Sequence, residues 1–234
     1  MAEYTEGIVL HLSRFSDRAY ILHTYTRSHG RMQYLVYGLH NKKGNIPPAA
    51  VEPLSLIGME TSDSLSGQRM PTLKQAHLLY SSAHLQPDIR RKTVALFLAE
   101  VLTRSLHLPM EDTDLFDYLR QLIRYLDTTP SPENIHLLFM LQFAHYLGFT
   151  PTLEEDGEIL DMQLGEMLSL RPQHDDFFTE AETSLLRQLE SDHTLSISRT
   201  TRQQLLRKLC RYYELHIDGF QTPKSLDVLE EIFD

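Results

Sequence analysis

The chain has 234 residues, 41% of them hydrophobic and 23% charged, which is the composition of a folded globular protein and excludes wholesale disorder. No run of 18 apolar residues occurs, and the acidic start lacks the basic and apolar regions of a signal peptide, so we expect neither a membrane span nor a secretory signal. Cys210 is the only cysteine, which excludes an intrachain disulfide and a cysteine-cluster zinc site and favours a reduced, cytoplasmic compartment.

Charge is distributed unevenly along the chain, whose formal net charge is −10. Residues 1–80 hold eight Lys/Arg against six Asp/Glu, whereas residues 81–234 hold 14 against 26. Such asymmetry is typical of a protein with one half that meets a polyanion and another that keeps it soluble or meets a basic partner. Drift between two domains would give the same pattern, so charge alone leaves both interpretations open.

The first third of the chain predicts short strands and no long helix. Apolar alternation and β-branched residues place the strands at residues 5–12, 20–26, 31–39, 53–60 and 72–80. Gly30 supplies the positive φ that a tight hairpin turn needs between the second and third strands. Five such strands favour a small barrel, with which both the five-stranded oligonucleotide-binding (OB) fold and an SH3-like barrel are compatible.

The remainder predicts an all-α domain. Apolar residues at helical spacing indicate helices at 88–107, 114–126, 131–147, 179–190, 200–217 and 226–233. Thr179 and Glu182 have the spacing of a capping box, and Gly148 ends the most apolar helix. We therefore expect a two-domain α+β protein: an OB-fold barrel in residues 1–80 and a helical domain in residues 81–234, with an irregular or β-hairpin insert near residues 150–175.

No catalytic signature is present, whether a phosphate-binding loop, a dinucleotide-binding turn, a zinc-protease motif or a serine-hydrolase elbow. The acidic run at residues 111–114 would bind a divalent cation or, as we favour, cap the following helix. Residues 174–176 would be metal ligands or a solvated turn, and Cys210 has the apolar neighbours of a buried residue rather than a nucleophile. We expect no catalytic residue, metal or cofactor.

The order of these features resembles the RecO family of bacterial recombination mediators, over nearly the whole chain. The matching segments are Glu6-Gly7-Ile8-Val9-Leu10, Ser16-Asp17, residues 21–26, His29-Gly30-Arg31, Tyr37-Gly38-Leu39, Lys42-Lys43, residues 53–56, residues 145–151 and residues 223–226. The resemblance implies binding to single- and double-stranded DNA and annealing of complementary strands. It also implies loading of the recombinase RecA, together with RecR in the RecF pathway, onto DNA coated by single-strand-binding protein (SSB).

One departure from the family concerns zinc. Many members carry a four-cysteine zinc module after the Leu-Gly-Phe stretch, but residues 152–172 contain no cysteine. We therefore expect a zinc-free variant whose insert is held by apolar side chains: Ile159, Leu160, Met162, Leu164, Met167 and Leu168.

Cations that track phosphates and aromatic rings that stack on bases are the chemistry of single-strand binding. The predicted phosphate contacts are Arg14, Arg27, Arg31, Lys42, Lys43, Arg69 and Lys74, extended by Arg90, Arg91 and Lys92 unless that run is a solvated helix face. Tyr34 and Tyr37 lie on opposite faces of a strand, so at most one stacks and core packing is the more common role. The family receives the acidic, apolar-ended SSB tail on its helical part, for which Arg202, Lys208 and Arg211 are the candidates.

Two other functions fit parts of the sequence. A protein-interaction adaptor with incidental DNA contact would suit the net charge of −10. A metal-dependent hydrolase would use the acids at 111–114. We favour the non-enzymatic DNA-repair mediator, nucleoid-associated in the cytoplasm.

Overall fold

The computed structural model describes residues 3–39, 45–61, 70–85 and 87–233. Within the chain, two compact units are formed by Met1–Thr128 and Thr129–Asp234. The first unit therefore includes two helices that follow the strands.

Five strands form a closed barrel in the first unit: β1 (Glu3–Arg14), β2 (Ala19–Thr26), β3 (Gly30–Tyr37), β4 (Leu56–Thr61) and β5 (Thr72–Leu78). The strand order is β1-β2-β3-β5-β4, and β4 pairs back onto β1. β3 and β5 run parallel, whereas the other neighbouring strands are antiparallel. The prediction of an OB-fold barrel is confirmed.

Alternation along the strands builds the barrel core. On β3, Tyr34 and Val36 are buried while Tyr37 is exposed, as the period of two requires. Their partners inside the barrel include Val9, Leu22, Ile57, Met59 and Leu73. Each fully buried aliphatic side chain of this kind contributes about 1.5–3 kcal/mol to folding.

Two helices complete the first unit: α1 (Ile89–Ser105) and α2 (Thr113–Thr128). The Asp88 side chain caps α1 by accepting from the Arg90 backbone N–H at 2.9 Å. Gly30, at φ +63°, forms the β2–β3 turn as predicted, and a Cβ there would lie 2.0 Å from the Met110 carbonyl oxygen in the α1–α2 connection. The turn therefore packs directly on that connection, which only glycine allows.

The second unit contains four helices among the described residues and a small sheet. The helices are α3 (Ile135–Leu147), α4 (Glu180–Ser191), α5 (Arg199–His216) and α6 (Ser225–Ile232). Gly148, at φ +82°, ends α3, and Thr179 and Glu182 form the predicted capping box on α4. Residue 131 does not start an α-helix as predicted: a short 3-10 turn (Pro132–Asn134) precedes α3, and the Ser131 side chain makes no cap hydrogen bond. None of the described helices has the length and apolar character needed to cross a membrane.

The predicted insert is a three-stranded sheet in the order β7-β6-β8, formed by β6 (Ile159–Asp161), β7 (Met167–Leu168) and β8 (Phe177–Phe178). Leu160 and Met162 are buried as expected, but Leu164 is 62% exposed and does not hold the insert. The buried Asp161 carboxylate instead accepts from the Gln163 backbone N–H at 2.8 Å and lies 3.2 Å from His174 Nε2.

The residues of this insert do not fit the zinc module of the family. A four-cysteine site needs thiolates that the chain lacks, since its single cysteine, Cys210, is buried in α5. Backbone hydrogen bonds to Asp161 and the burial of Leu160 hold the insert.

Candidate nucleic-acid interface

The predicted phosphate-binding cations fall into two groups, those held by internal contacts and those exposed. Arg31 belongs to the first group, because its Nη1 donates to the Thr103 carbonyl at 2.6 Å and to the Leu106 carbonyl at the end of α1. Burial lowers the pKa of this guanidinium. A cation at the C-terminal end of a helix is favourable, so Arg31 fastens the barrel to α1.

Arg27 is also held by an internal contact, a salt bridge with Asp117. Its two Nη atoms donate to the two carboxylate oxygens of Asp117 in α2, at 2.7 and 3.1 Å. The hydrogen bond from Arg27 holds the pKa of Asp117 below its usual range. Such a bidentate pair fixes the end of β2 against α2 and leaves less of Arg27 for a phosphate.

The basic run at 90–92 divides between the two groups. Arg91 is buried, donates to the Leu126 carbonyl and forms an ion pair with Asp88 at 3.2 Å. Arg90 and Lys92 point their side chains to solvent from the first turn of α1. Two of the three predicted residues therefore lie on the surface.

The remaining cations of the barrel are exposed. The Arg14 side chain is 67% exposed and pairs with Asp17 at 2.7 Å, a surface ion pair of the kind that contributes about 0–1 kcal/mol. Lys74 is exposed on β5, and Arg18, which sequence reasoning missed, is exposed in the β1–β2 loop. We call Arg14, Arg18, Lys74, Arg90 and Lys92 the exposed cations. Lys42, Lys43 and Arg69 lie outside the described residues.

The two tyrosines of β3 point in opposite directions. Tyr34 is 1% exposed inside the barrel, where burial raises its pKa to about 12. Tyr37 is 56% exposed on the outer face, and Phe15 in the β1–β2 loop is 62% exposed. The burial of Tyr34 and the exposure of Tyr37 follow their opposite faces on the strand, and stacking by Tyr37 stays a prediction. Phe15 was not recognised from the sequence. Its signal was an aromatic residue in a turn between two arginines.

The three predicted partner-binding residues of α5 all have contacts within the second unit. Lys208 Nζ lies 2.5 Å from Glu182 Oε2, and Arg211 forms two hydrogen bonds with Asp176 at 3.0 and 3.2 Å. Arg202 donates from Nη2 to the Ile197 carbonyl at 3.0 Å, and burial lowers the pKa of its guanidinium.

A small pocket borders Arg202. Its apolar side is formed by Leu206, Leu229 and Phe233. Its polar side holds Arg199 and Arg202 together with the Glu230 carboxylate, which is paired with Arg207 at 2.6 Å. The Arg202 guanidinium lies 5.8 Å from the centroid of the Phe233 ring. Among the predicted partner-binding residues, Arg202 is the one that adjoins an apolar depression.

The candidate catalytic and metal-binding residues have structural roles. Asp112 Oδ1 accepts from the Leu115 backbone N–H at 2.9 Å and so caps α2. His174 and Asp176 contact Asp161 and Arg211, and burial raises the pKa of the Cys210 thiol to about 12. Over the described ranges, no group of three or more His, Cys, Asp or Glu side chains is placed to hold a metal ion.

Comparison with known proteins gives a consistent match over the whole chain. The family model described as Recombination protein O N terminal matches residues 1–82, and the one described as Recombination protein O C terminal matches residues 86–226. Proteins named DNA repair protein RecO from Phocaeicola vulgatus and Bacteroides fragilis are each 35% identical to the chain, with 100% of both sequences covered. The protein of that name from Flavobacterium psychrophilum is 30% identical, with 98% of each sequence covered.

Proposed function

The chain belongs to the RecO family of DNA repair proteins, and on this premise we propose that it is a non-enzymatic recombination mediator that binds single- and double-stranded DNA and anneals complementary strands. The observation that carries the proposal is the closed barrel in OB order at the N-terminal family match. In such barrels the outer face of the second and third strands, with the neighbouring loops, receives oligonucleotides.

Annealing by this protein requires charge rather than a nucleophile. Two complementary strands repel each other through their phosphates, and a surface of exposed cations reduces that repulsion while base pairing drives the exchange. Arg14, Arg18 and Lys74 supply such charge on the barrel, and Arg90 and Lys92 continue it on α1. Arg27, Arg31 and Arg91 support the surface from within the unit.

DNA binding by the full chain tests this proposal. We expect the affinity for a labelled oligonucleotide, measured by fluorescence anisotropy, to fall with salt at a log–log slope near −3 to −4, as about four phosphate contacts would give. Arg18→Glu and Lys74→Glu should each weaken binding and reduce the slope by about one. The matched control is Lys224→Glu, an exposed lysine of the second unit, which should leave both unchanged. A slope near zero would overturn the electrostatic account.

For the second unit, we propose docking of the SSB tail, which would bring the protein to SSB-coated DNA and, together with RecR, allow RecA to load in the cytoplasm. Carboxylates of the acidic, apolar-ended tail would lie beside Arg199 and Arg202, and its apolar end would lie against Leu206 and Phe233. Glu230, which also lines the pocket, has its charge paired with Arg207. Arg199→Glu should weaken binding of a tail peptide without loss of helix content, whereas Glu231→Ala, an exposed control on α6, should have no effect. Equal affinity for the peptide in both variants would exclude this pocket.

An adaptor with only incidental DNA contact remains the second candidate function. It is favoured by the net charge of −10 and by the internal contacts of Arg27, Arg31 and Arg91. Strand annealing in the presence of SSB distinguishes the two, because an adaptor alone would not accelerate it.

A further inference from the structure

A row of side chains crosses the outer face of the barrel near the β1–β2 loop. The Phe15 backbone N–H donates to the Ala19 carbonyl at 3.0 Å, which places Phe15 opposite Ala19. Ala19 is in register with Tyr37 on β3. Val36 and Leu73 are parallel partners, so Tyr37 and Lys74 follow them as neighbours on β3 and β5. The row therefore runs Phe15, Ala19, Tyr37, Lys74.

This row has an unusual pattern of exposure. Phe15 is 62% and Tyr37 56% exposed, whereas Ala19 between them is 2% exposed. Adjacent strands are about 4.8 Å apart, so the two aromatic residues stand roughly two strand spacings from each other with a methyl group between them. Because Ala19 between them is nevertheless covered, the side chains along the row form a continuous surface from which the Phe15 and Tyr37 rings face solvent.

The other half of the same outer face is already covered. His11, His23 and Arg31 lie there, and Arg31 contacts the carbonyls of Thr103 and Leu106 in and after α1. Phe15 and Tyr37 lie on the other half of this face, near the β1–β2 loop, where both side chains are exposed to solvent.

The charges around the row suit an anionic ligand. Arg14 and Arg18 flank Phe15 in sequence, and Lys74 ends the row. Asp17 is the carboxylate of the loop, and its side chain is 95% exposed and paired with Arg14. Among the described residues, the Arg18 guanidinium and the Lys74 ammonium have no carboxylate partner. Exposed aromatic rings between cations match unpaired bases joined by phosphates better than they match an apolar protein surface.

On the basis of the proposed DNA-binding function, we propose that Phe15 and Tyr37 form a stacking platform for unpaired bases, with Lys74 and Arg18 contacting the flanking phosphates. Bases of a duplex are stacked on each other and present no free face to these rings, so the platform distinguishes single-stranded from double-stranded DNA. Because every base has a π face, it does so without reading sequence.

The test measures how removal of the two aromatic rings from the full-length protein changes its affinity for DNA with and without unpaired bases. The variants are Phe15→Leu, Tyr37→Leu and the double variant, since leucine keeps an apolar cover over Ala19 but removes the ring. The probes are a 30-nucleotide oligo(dT), an abasic oligonucleotide of equal length and a duplex, all at one salt concentration. We expect the double variant to bind oligo(dT) at least about tenfold more weakly, with less than about twofold change for the abasic strand and the duplex.

Three controls make the result decisive. Phe15→Tyr and Tyr37→Phe keep the rings and should bind oligo(dT) as the parent does, while Leu108→Ala, at an exposed leucine in the α1–α2 connection, should change nothing. Unchanged oligo(dT) affinity in the double variant would overturn the platform and leave the proposed function intact, as would an equal loss with all three probes. Absence of binding to any probe by the parent protein would overturn the proposed function itself.

Discussion

At the residue scale, Asp127 is a buried carboxylate that joins two segments of the first unit. Its carboxylate accepts from the Tyr80 hydroxyl at 2.7 Å and from the backbone N–H groups of Ala83, His84 and Leu85 at 3.2, 2.8 and 2.6 Å. Burial alone would raise the pKa of Asp127, but these hydrogen bonds outweigh it and lower the pKa. The residue thereby ties the segment after β5 to the last turn of α2.

Asp127→Ala should reduce the free energy of unfolding by about 2–4 kcal/mol, because one buried and two part-buried backbone donors lose their acceptor. Asp127→Asn keeps one acceptor oxygen and should cost less. Asp114→Ala, an exposed acid in the first turn of the same helix, is the control and should cost under about 1 kcal/mol. Urea denaturation measures all three, and equal stability of Asp127→Ala and the parent would contradict this role.

The environment of two histidines, His11 and His23, predicts that folding is sensitive to acid. The rings of His11 and His23 stack with centroids 3.8 Å apart, with Arg31 beside them and Glu100 of α1 acting in the opposite sense on His11. Burial, followed by the charges of His11 and Arg31, lowers the pKa of His23 to about 4. The unfolded chain takes up this proton near pH 6.5 and the folded chain only near pH 4. The contribution of His23 to stability is therefore fully present above pH 6.5 and is lost as the pH falls toward 4.

We expect His23→Gln to make the free energy of unfolding less dependent on pH. Between pH 7.5 and 5 the parent should lose about 1–3 kcal/mol more unfolding free energy than the variant, measured by urea denaturation at each pH. The comparison removes the contribution of the other titrating groups, which both proteins share. A parallel loss in both proteins would show that His23 is not the group responsible.

At the scale of secondary-structure elements, the sequence predicts features formed by residues that are close along the chain, but it does not predict contacts between side chains that are far apart along it. Strand alternation, the Gly30 turn and the Thr179–Glu182 capping box depend on residues close in sequence, and all three predictions are confirmed. The contact of Arg27 with Asp117 joins residues 90 positions apart. A single sequence contains no signal for such a pairing, which is why Arg27 and Arg31 were predicted as phosphate contacts without their partners.

The role of Arg31 as a fastener between barrel and helix can be measured. Arg31→Ala should lower the unfolding free energy by about 1–3 kcal/mol, because the carbonyls of Thr103 and Leu106 lose a charged donor. Lys74→Ala, the removal of an exposed cation, should leave stability within about 0.5 kcal/mol of the parent. Under conditions where Arg31→Ala remains folded, its DNA affinity should match the parent; a selective loss of affinity would instead place Arg31 on the DNA.

At the scale of the whole molecule, the sequence change from strands to helices near residue 80 is not the edge of the compact unit. The family models meet between residues 82 and 86, whereas the first compact unit extends to Thr128. The reason is physical, since Asp127 and Arg31 join the barrel to α1 and α2. Apolar periodicity locates elements, but it does not show which neighbouring elements share a core.

A fragment of residues 1–128 should therefore fold by itself, with a cooperative thermal transition and dispersed amide resonances. A fragment of residues 1–80 lacks the helices that cover Arg31 and His23, and we expect it to melt at a lower temperature or remain unfolded. Circular dichroism and two-dimensional NMR compare the two fragments. A shorter fragment as stable as the longer one would show that the barrel needs no helices.

The short parallel pairing between β3 and β5, which we call the seam, determines where the barrel opens locally. Two residue pairs join these strands, Leu35 with Thr72 and Val36 with Leu73, whereas β2 and β3 are joined by eight. Local opening follows the weakest set of hydrogen bonds, so native-state deuterium uptake should begin at this seam and spread outward before the hairpins separate. Tyr37 and Lys74 directly follow the last residue pair that joins β3 and β5. A strand of DNA bound across both residues would hold the two strands together, so DNA binding should slow deuterium uptake by the amides of β3 and β5.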